Sequence, residues 1–398
     1  MKSVYLDHAA TTPLDPRVLK KMQPYFSDIF ANPSSFHSPG LRAKEAVDEA
    51  RKSIAVQLNA HADELVFCSG GTESDNLAIL GTIRANRAKV KHVVTTAVEH
   101  HAVLEPLRHL ERTGEIELTV LPVDKTGMVS VDDFETALRP ETVLASVMYA
   151  NNEIGTIQPI ADIGRAILKW RKANKTPFPY FHSDACQAAG ALALDVEKLH
   201  VDLFSLNGSK IYGPKGIGLL FVRRGVGIEP LVRGGGQERG LRSGTENVPG
   251  IVGLAAALEI AQAEKEKENA RLTQLRDKLV EGFIKIPKTR LNGHPTERLP
   301  NNVNVSFMDI EGEAAVLYLD AQGIYCSTGS ACASSSLDPS HVILATGVSY
   351  EAAHGSLRFT LGRSTKPADI DYVLKTIPGI VQKLRHMSPV NLDMRYFA

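Results

Sequence analysis

The chain has 398 residues with 45 basic and 45 acidic side chains, so its formal net charge is zero. Its 43% hydrophobic and 23% charged residues are typical of a globular protein and exclude a disordered chain or a collagen-like repeat. The charge balance predicts no nucleic-acid partner, and no apolar run reaches the ~18 residues of a membrane helix. With four cysteines and no signal-peptide pattern, we expect a cytoplasmic protein with reduced thiols.

Short β-branched runs alternate with helical stretches up to residue 222. Seven strands are predicted over Leu65–Cys68, His92–Thr95, Glu117–Val123, Thr142–Met148, Phe178–His182, Asp202–Leu206 and Gly216–Val222. Helices are predicted from near Glu73 and over His101–Glu111, Ser130–Leu138 and Ile160–Ala173. This alternation indicates an α/β fold with a mostly parallel sheet covered on both faces. Ligands of such sheets bind outside the carboxyl ends of the strands.

The pattern changes in the C-terminal part of the chain. Apolar residues recur at helical spacing over Ile251–Phe283, which predicts a long helix leading into a smaller domain. Pro287–Pro300 is predicted to be a loop-rich entry to that domain, and Asn304–Phe307 and Gly355–Leu361 to be strands of an antiparallel sheet. Small polar residues fill Ser327–Ser336, which we interpret as a mobile loop.

The segment Ser69–Asn76 combines two glycines and a hydroxyl residue between a predicted strand and a predicted helix. Backbone N–H groups at a helix start attract anions, and glycine permits their close approach. Taken alone, the segment fits either a phosphate seat or an ordinary capped turn.

Two chemically suggestive side chains follow later strands. Asp184 follows the fifth predicted strand, and Lys210 follows the sixth in a glycine-rich turn. Alone, they could be a surface cap and a solvated lysine. With the phosphate seat they supply what pyridoxal phosphate needs, namely an amine to bond, an acid for the pyridine nitrogen and an anion site. His100 could stack on the ring and carry protons, or could be structural.

Motifs along nearly the whole chain support this interpretation. They are Tyr5–Pro13, Asn32–His37, Gly70–Asn76, Glu99–His100, Asn151–Gly155, Asp184–Gln187, Lys210–Gly216, Arg242–Thr245, Ser327–Cys332 and Ser356–Phe359. In this order they resemble the cysteine desulfurases of the NifS/IscS type, which are fold-type-I pyridoxal-phosphate enzymes of the class-V aminotransferase family. The resemblance implies a large domain over residues 13–260 with a mostly parallel seven-stranded sheet. It also implies a smaller α+β domain, formed by residues 1–12 and 261–398, that carries the Cys332 loop.

The resemblance also implies the contacts of the cofactor, pyridoxal 5'-phosphate. Lys210 bonds to it covalently, Asp184 faces its pyridine nitrogen and Gln187 faces its phenolic oxygen. His100 stacks on the ring and carries protons. The remaining implied contacts are Gly71, Thr72, Asn152, Asn207, Ser209 and Thr245. Because Thr245 would reach the phosphate of the other subunit, a homodimer is expected.

The implied reaction converts L-cysteine to L-alanine and leaves a persulfide on Cys332. Asn152 and Arg358 would bind the substrate, with Arg358 on its carboxylate. The implied acceptors are an iron–sulfur scaffold protein or another sulfur acceptor such as a tRNA-thiolation relay. Cys332 is a candidate transient ligand of an iron–sulfur cluster, and no resident metal is expected. The alternatives are a selenocysteine lyase, another transferase of the same fold and cofactor, or a non-enzymatic scaffold.

The chain departs from the family pattern just before Lys210. The family usually has Ser, one small residue and His there, whereas this chain has Asn207, Gly208 and Ser209. Losing the imidazole is expected to weaken the hold on the phosphate without changing the reaction. The other cysteines, Cys68, Cys186 and Cys326, are expected to be structural.

Overall fold

The computed structural model describes residues 2–329 and 338–392. Its strands are β1 (Val4–Tyr5), β2 (Leu65–Cys68), β3 (His92–Thr96), β4 (Glu117–Leu121), β5 (Thr142–Ser146), β6 (Tyr180–Asp184), β7 (Leu203–Asn207), β8 (Gly218–Val222), β9 (Thr289–Asn292), β10 (Asn302–Phe307), β11 (Ile324–Tyr325) and β12 (Ser356–Thr360).

The described residues also form α-helices, which vary widely in length. They are α1 (Pro16–Met22), α2 (Pro24–Ser27), α3 (Ser38–Leu58), α4 (Gly71–Asn76), α5 (Thr82–Ala85), α6 (His101–Arg112), α7 (Val131–Ala137), α8 (Ile160–Asn174), α9 (Val196–Leu199), α10 (Val248–Phe283), α11 (Gly312–Asp320), α12 (His341–Ala345), α13 (Tyr350–Ala353) and α14 (Pro367–Met387). A π-helical turn, Leu77–Gly81, joins α4 to α5. No helix in the described ranges is long and apolar enough to cross a membrane.

The larger sheet has seven strands in the order β2-β8-β7-β6-β5-β3-β4. All neighbours are parallel except that β8 runs antiparallel to β2 and β7. The central strands β3, β5 and β7 consist almost wholly of buried residues, as expected of a sheet covered on both faces. The predicted α/β fold with a mostly parallel seven-stranded sheet is confirmed.

Some predicted boundaries were wrong in informative ways. Strand β6 begins at Tyr180 rather than at Phe178, because Pro179 has no backbone N–H to offer the ladder. At its other end, β6 extends beyond the predicted His182 because Asp184 still pairs with Ser205 of β7, so Asp184 is the last residue of the strand rather than lying just past it. The predicted loop Pro287–Pro300 contains β9, whose residues are mostly half-buried on the edge of the smaller sheet and lack a clear apolar alternation.

The smaller sheet is antiparallel, as predicted, with the order β12-β10-β9, and β1 pairs separately with β11. Helix α10 spans 36 residues and belongs to two apolar cores. Its residues up to Ala261 pack in the core around the larger sheet, and those from Leu272 pack with β10 and β12. The domain boundaries at 12/13 and 260/261 remain a prediction, and the change of core along α10 lies close to the second.

Candidate active site

A cavity of about 370 Å³ opens at the carboxyl ends of β6 and β7. Its lining includes Gly71, Thr72, Asp75, His100, His101, Met148, Asn152, Glu153, Asp184, Cys186, Gln187, Asn207, Lys210, Gly329, His341 and Arg358. This volume is within the usual range of small-molecule sites. Residues from the larger sheet, from β12 and from the loop after β5 therefore meet in one place.

Lys210 and Asp184 stand on neighbouring strands, as the sequence predicted. Lys210 ends the short 3₁₀ turn Gly208–Lys210 that directly follows β7. Its Nζ donates a hydrogen bond to the carbonyl oxygen of Ala10, so the N-terminal segment helps to orient the amine. Because β6 and β7 are adjacent and parallel, their carboxyl ends bring the lysine and the acid to the same cavity.

Asp184 is a buried carboxyl group in an acidic setting. Its Oδ1 accepts a hydrogen bond of 2.8 Å from the backbone N–H of Cys186. Burial raises the pKa of Asp184, and the neighbouring carboxyl of Asp75 raises it further. A carboxyl group held in this way can face the protonated pyridine nitrogen of a cofactor. The positive charge of that nitrogen would return the carboxyl to its ionised state.

His100 caps the start of α6 and lines the cavity. Its Nδ1 accepts the backbone N–H of Ala102 at 3.1 Å, which assigns the proton of the neutral ring to Nε2. Burial lowers the pKa of His100, and the charges of His101 and Lys210 lower it as well. A neutral imidazole near the amine can stack on an aromatic ring and accept or return a proton.

The predicted phosphate seat is only partly assembled from the expected side chains. Gly71, Thr72 and Asn207 line the cavity, and a Cβ atom at Gly71 would lie 2.6 Å from Cys186 Sγ, so glycine is needed there. Ser209 does not line the cavity. Its backbone N–H and hydroxyl each donate to Asn207 Oδ1 at 3.0 Å, which leaves the Asn207 amide as the donor towards Gly71.

The residues present fit pyridoxal phosphate. The cavity is lined by the amine of Lys210, the buried acid Asp184 and the imidazole of His100, and a hydroxyl, an amide and a helix start lie around the expected phosphate position. When bound there, the cofactor supplies an electron sink for the charge left when the substrate loses its α-proton.

The expected substrate residues reach the cavity from other elements than β6 and β7, namely Asn152 from the loop after β5 and Arg358 from β12. Arg358 is buried in β12, and its Nη1 donates to the carbonyl oxygen of Asn152 at 3.2 Å. Its Nε has no hydrogen-bond acceptor within the described residues. Gln187 also lines the cavity, with its amide donating to the carbonyl oxygen of Ala9 at 3.0 Å.

Five acidic or imidazole side chains at or near the cavity were not predicted to belong to the site, namely Asp75, Glu99, His101, Glu153 and His341. Burial raises the pKa of Asp75 to about 7 and that of Glu99 to about 8. Burial also raises the pKa of Glu153, which accepts a hydrogen bond from the Ser340 hydroxyl. The ring of His341 lies 4.7 Å from that of His101, centroid to centroid. The only signal for the acids was their place within the motifs Gly70–Asn76, Glu99–His100 and Asn151–Gly155.

Besides Ser209, two predicted residues are not seen at this cavity. Cys332 lies outside the described residues. Thr245 is exposed and does not line the cavity of its own chain. The other three cysteines are buried, as expected. Burial raises the pKa of Cys68 to about 12 and raises the pKa of Cys186 and of Cys326 well above its usual value.

Comparison with known proteins agrees with this geometry. The family model of the class-V aminotransferases matches residues 4–373. "Cysteine desulfurase IscS" of Methanosarcina thermophila is 56% identical over 389 residues, covering 98% of this chain and 94% of the relative.

Two solved structures are similar along most of the chain. A "NIFS-LIKE PROTEIN" has a TM-score of 0.89 at 38% identity and covers 96% of this chain and 100% of its own. A structure described as "SspA in complex with cysteine" has a TM-score of 0.78 at 36% identity, covering 90% and 99%. The chain thus belongs to the class-V aminotransferase family of pyridoxal-phosphate enzymes and, within it, to the cysteine desulfurases of the IscS and NifS type.

Proposed function

We propose that the protein takes sulfur from L-cysteine, releases L-alanine and carries the sulfur as a persulfide on Cys332. One observation carries the proposal. A cavity flanked by parallel strand ends brings an amine (Lys210), a buried acid (Asp184) and a buried guanidinium (Arg358) together. An α-amino acid has an α-carbon proton and a carboxylate that match the first and the last of these groups.

Each described residue has a defined task in this reaction. Arg358 binds the substrate carboxylate, and the amide of Asn152 orients the substrate. Lys210 removes the α-proton. His100, whose neutral ring carries its proton on Nε2, can donate a hydrogen bond beside it from that atom. When the cofactor is bound, the buried carboxyl of Asp184 would hold the protonated pyridine nitrogen of its ring.

The sulfur step requires a thiolate. The thiolate sulfur of Cys332 attacks the substrate sulfur, so an S–S bond forms and the substrate C–S bond breaks. The β-carbon keeps the electron pair and takes a proton, and the α-carbon regains the proton that Lys210 removed, which gives alanine. Support comes from the described residues that flank the segment containing Cys332. Gly329 lines the cavity, and Ser340 donates a hydrogen bond to Glu153 in the cavity wall.

Measurement of alanine and sulfide released from L-cysteine, with and without reductant, tests this proposal. Cys332→Ser should stop both products while leaving cofactor absorbance unchanged. The matched control is Cys326→Ser, because burial raises the pKa of the Cys326 thiol and keeps it protonated. Full turnover by Cys332→Ser would contradict the persulfide route, and faster turnover of L-selenocysteine than of L-cysteine would favour the lyase.

A homodimer and an external sulfur acceptor complete the proposal. Thr245 is exposed and lies away from the cavity of its own chain, as a residue that completes the partner's phosphate seat would be. Phe26, Phe30 and Phe36 are 61%, 75% and 96% exposed in the single chain, and we expect the partner subunit to cover them. Light scattering tests the assembly, and a catalytically competent monomer would contradict it.

The acceptor would be an iron–sulfur scaffold protein or another sulfur-accepting protein in the cytoplasm. Persulfide sulfur is transferred when an acceptor thiolate attacks it, so the acceptor must present a cysteine. Transfer of ³⁵S from L-cysteine to a purified acceptor, followed by non-reducing electrophoresis, would test this part of the proposal.

A further inference from the structure

Arg358 has a carboxylate partner that the reaction does not require. Its Nη2 donates to Asp7 Oδ1 at 2.9 Å, and the two side chains form an ion pair. The Arg358 side chain is 3% exposed, whereas that of Asp7 is 21% exposed. Arg358 lines the cavity and Asp7 does not. Asp7 therefore contacts the guanidinium from outside the cavity.

The backbone holds Asp7 in this position. Thr360 donates its N–H to the carbonyl oxygen of Leu6 at 2.7 Å, and His8 donates its N–H to the carbonyl oxygen of Thr360 at 3.3 Å. These bonds fix the residues on both sides of Asp7 against β12. The carboxylate is consequently held beside Arg358, two residues before Thr360 on the same strand.

This ion pair has two opposing effects on Arg358. A buried guanidinium is costly without a counter-charge, so Asp7 stabilises it before any substrate arrives. The same negative charge weakens the attraction between Arg358 and a second carboxylate entering from the cavity. Amino acid substrate and amino acid product both carry that carboxylate, so both lose affinity to the same extent.

We propose that Asp7 is a positioning residue that sets the affinity of the site for amino acid carboxylates by offsetting part of the charge of Arg358. This rests on the proposed role of Arg358 in substrate binding. Weaker binding of the shared carboxylate limits retention of L-alanine after each turnover. This weaker binding does not lower kcat of the sulfur step, because the carboxylate is bound equally in the ground and transition states and such uniform binding does not raise kcat.

The substitution Asp7→Asn tests the charge with little change in shape. The Asn side chain keeps an oxygen that accepts the Arg358 Nη2 hydrogen bond. In the cofactor-loaded enzyme, KM for L-cysteine and Kd for L-alanine should each fall ~5- to 10-fold, with kcat within about twofold of the wild-type value. The L-alanine titration follows cofactor absorbance and therefore requires no turnover.

A ligand without a carboxylate separates charge from general disturbance. Cysteamine has the amine and thiol of cysteine but no carboxylate, so its Kd should not change in Asp7→Asn. The variant Asp7→Glu keeps the charge and should bind L-alanine as the wild type does. If Asp7→Asn does not fold, Asp7→Ser removes the same charge and should tighten L-alanine binding in the same direction.

The neighbouring arginine of the same segment provides the matched control. Arg363 Nη1 pairs with Asp15 Oδ2 at 2.6 Å, and neither residue lines this cavity. Asp15→Asn should leave Kd for L-alanine unchanged. An unchanged or raised KM in Asp7→Asn, or an equal change for cysteamine or in Asp15→Asn, would overturn the proposal.

Arg358→Gln distinguishes a failure of this proposal from a failure of the proposed function. If Arg358→Gln binds L-alanine as tightly as the wild type, then Arg358 is not the carboxylate site and both proposals fail. If Arg358→Gln weakens L-alanine binding and Asp7→Asn does not tighten it, then only the role of Asp7 is wrong.

Discussion

The two sides of the cavity differ in how they are built. On one side, Asp184 and Lys210 come from adjacent parallel strands, and Thr72 comes from the helix that follows β2. On the other side, Arg358 on β12 is held by Asp7 from the N-terminal segment and by Asn152 from the loop after β5. One sheet determines the first arrangement, whereas contacts between distant segments determine the second.

Under the proposed function, this difference would separate chemistry from substrate binding. The groups proposed to hold the cofactor, Asp184 and Lys210, stand at the ends of strands of the large, buried sheet. The groups proposed to bind the amino acid substrate, and the described flanks of the segment with Cys332, belong to the other side. A substitution on the first side should therefore affect cofactor properties, and one on the second should affect substrate handling.

The largest effect is expected on the sheet side, from Lys210→Ala. Loss of the amine removes both the covalent bond to the cofactor and the base for the α-proton, so turnover of L-cysteine should fall by about 10³-fold or more. The absorbance band of the covalently bound cofactor should also disappear. A variant that keeps the wild-type spectrum would exclude Lys210 from this role.

An intermediate effect is expected on the other side, from Ser340→Ala. Ser340 caps α12 through the N–H groups of Val342 and Ile343, and its hydroxyl donates to the buried carboxyl of Glu153. Loss of the cap alone costs about 1 kcal/mol of unfolding free energy, and an unpaired buried group costs a further ~1–3 kcal/mol. The melting temperature and the rate of sulfide release should both decrease, while cofactor absorbance stays unchanged.

Ser349→Ala is the matched control for that variant. Ser349 caps the next short helix through the N–H of Ala352 but makes no bond to a cavity carboxyl. Ser349→Ala should lose only the contribution of the helix cap to stability and should release sulfide at nearly the wild-type rate. Equal loss of activity in both variants would show that the bond to Glu153 has no special role.

The smallest effect is expected from Asp75→Asn and depends on pH. The pKa of Asp75 is about 7 in the folded chain, raised by burial, against about 3.9 when unfolded. The folded state therefore binds the extra proton between these values, and the contribution of Asp75 to stability falls as pH rises from about 4 to 7. Asp75→Asn should raise Tm by about 2 °C or more at pH 8 and change it little at pH 4.

Asp63→Asn tests whether the change in Tm comes from burial. Asp63 is exposed and pairs with Arg224 at 2.7 Å, and a hydrogen bond from Arg224 lowers the pKa of its carboxyl. Because the pKa of Asp63 is lowered on folding, its ionised carboxylate contributes to stability at high pH, whereas that of Asp75 opposes it. Asp63→Asn should therefore not gain stability at pH 8. A Tm of Asp75→Asn that is insensitive to pH would contradict a raised pKa at Asp75.

Much of the sheet side follows from sequence alone. Each predicted strand of the large sheet is present, and Asp184 and Lys210 meet because adjacent parallel strands end at one edge. The signal is local, since buried parallel strands are short apolar runs and their ends are marked by glycine and polar residues. The family membership follows from the order of the motifs along the chain.

The surroundings of Arg358 and several features of the sheet side were decided only by tertiary structure. Nothing in the sequence relates Asp7 to Arg358, which are 351 positions apart. The burial of Asp75 and Glu99, which raises their pKa values, depends on the strands packed around them rather than on their neighbours in sequence. Ser209 was expected at the phosphate, yet its hydroxyl donates a hydrogen bond to Asn207 Oδ1. Local patterns thus determined the strands and their ends, whereas charge pairing and desolvation arose only when distant segments packed together.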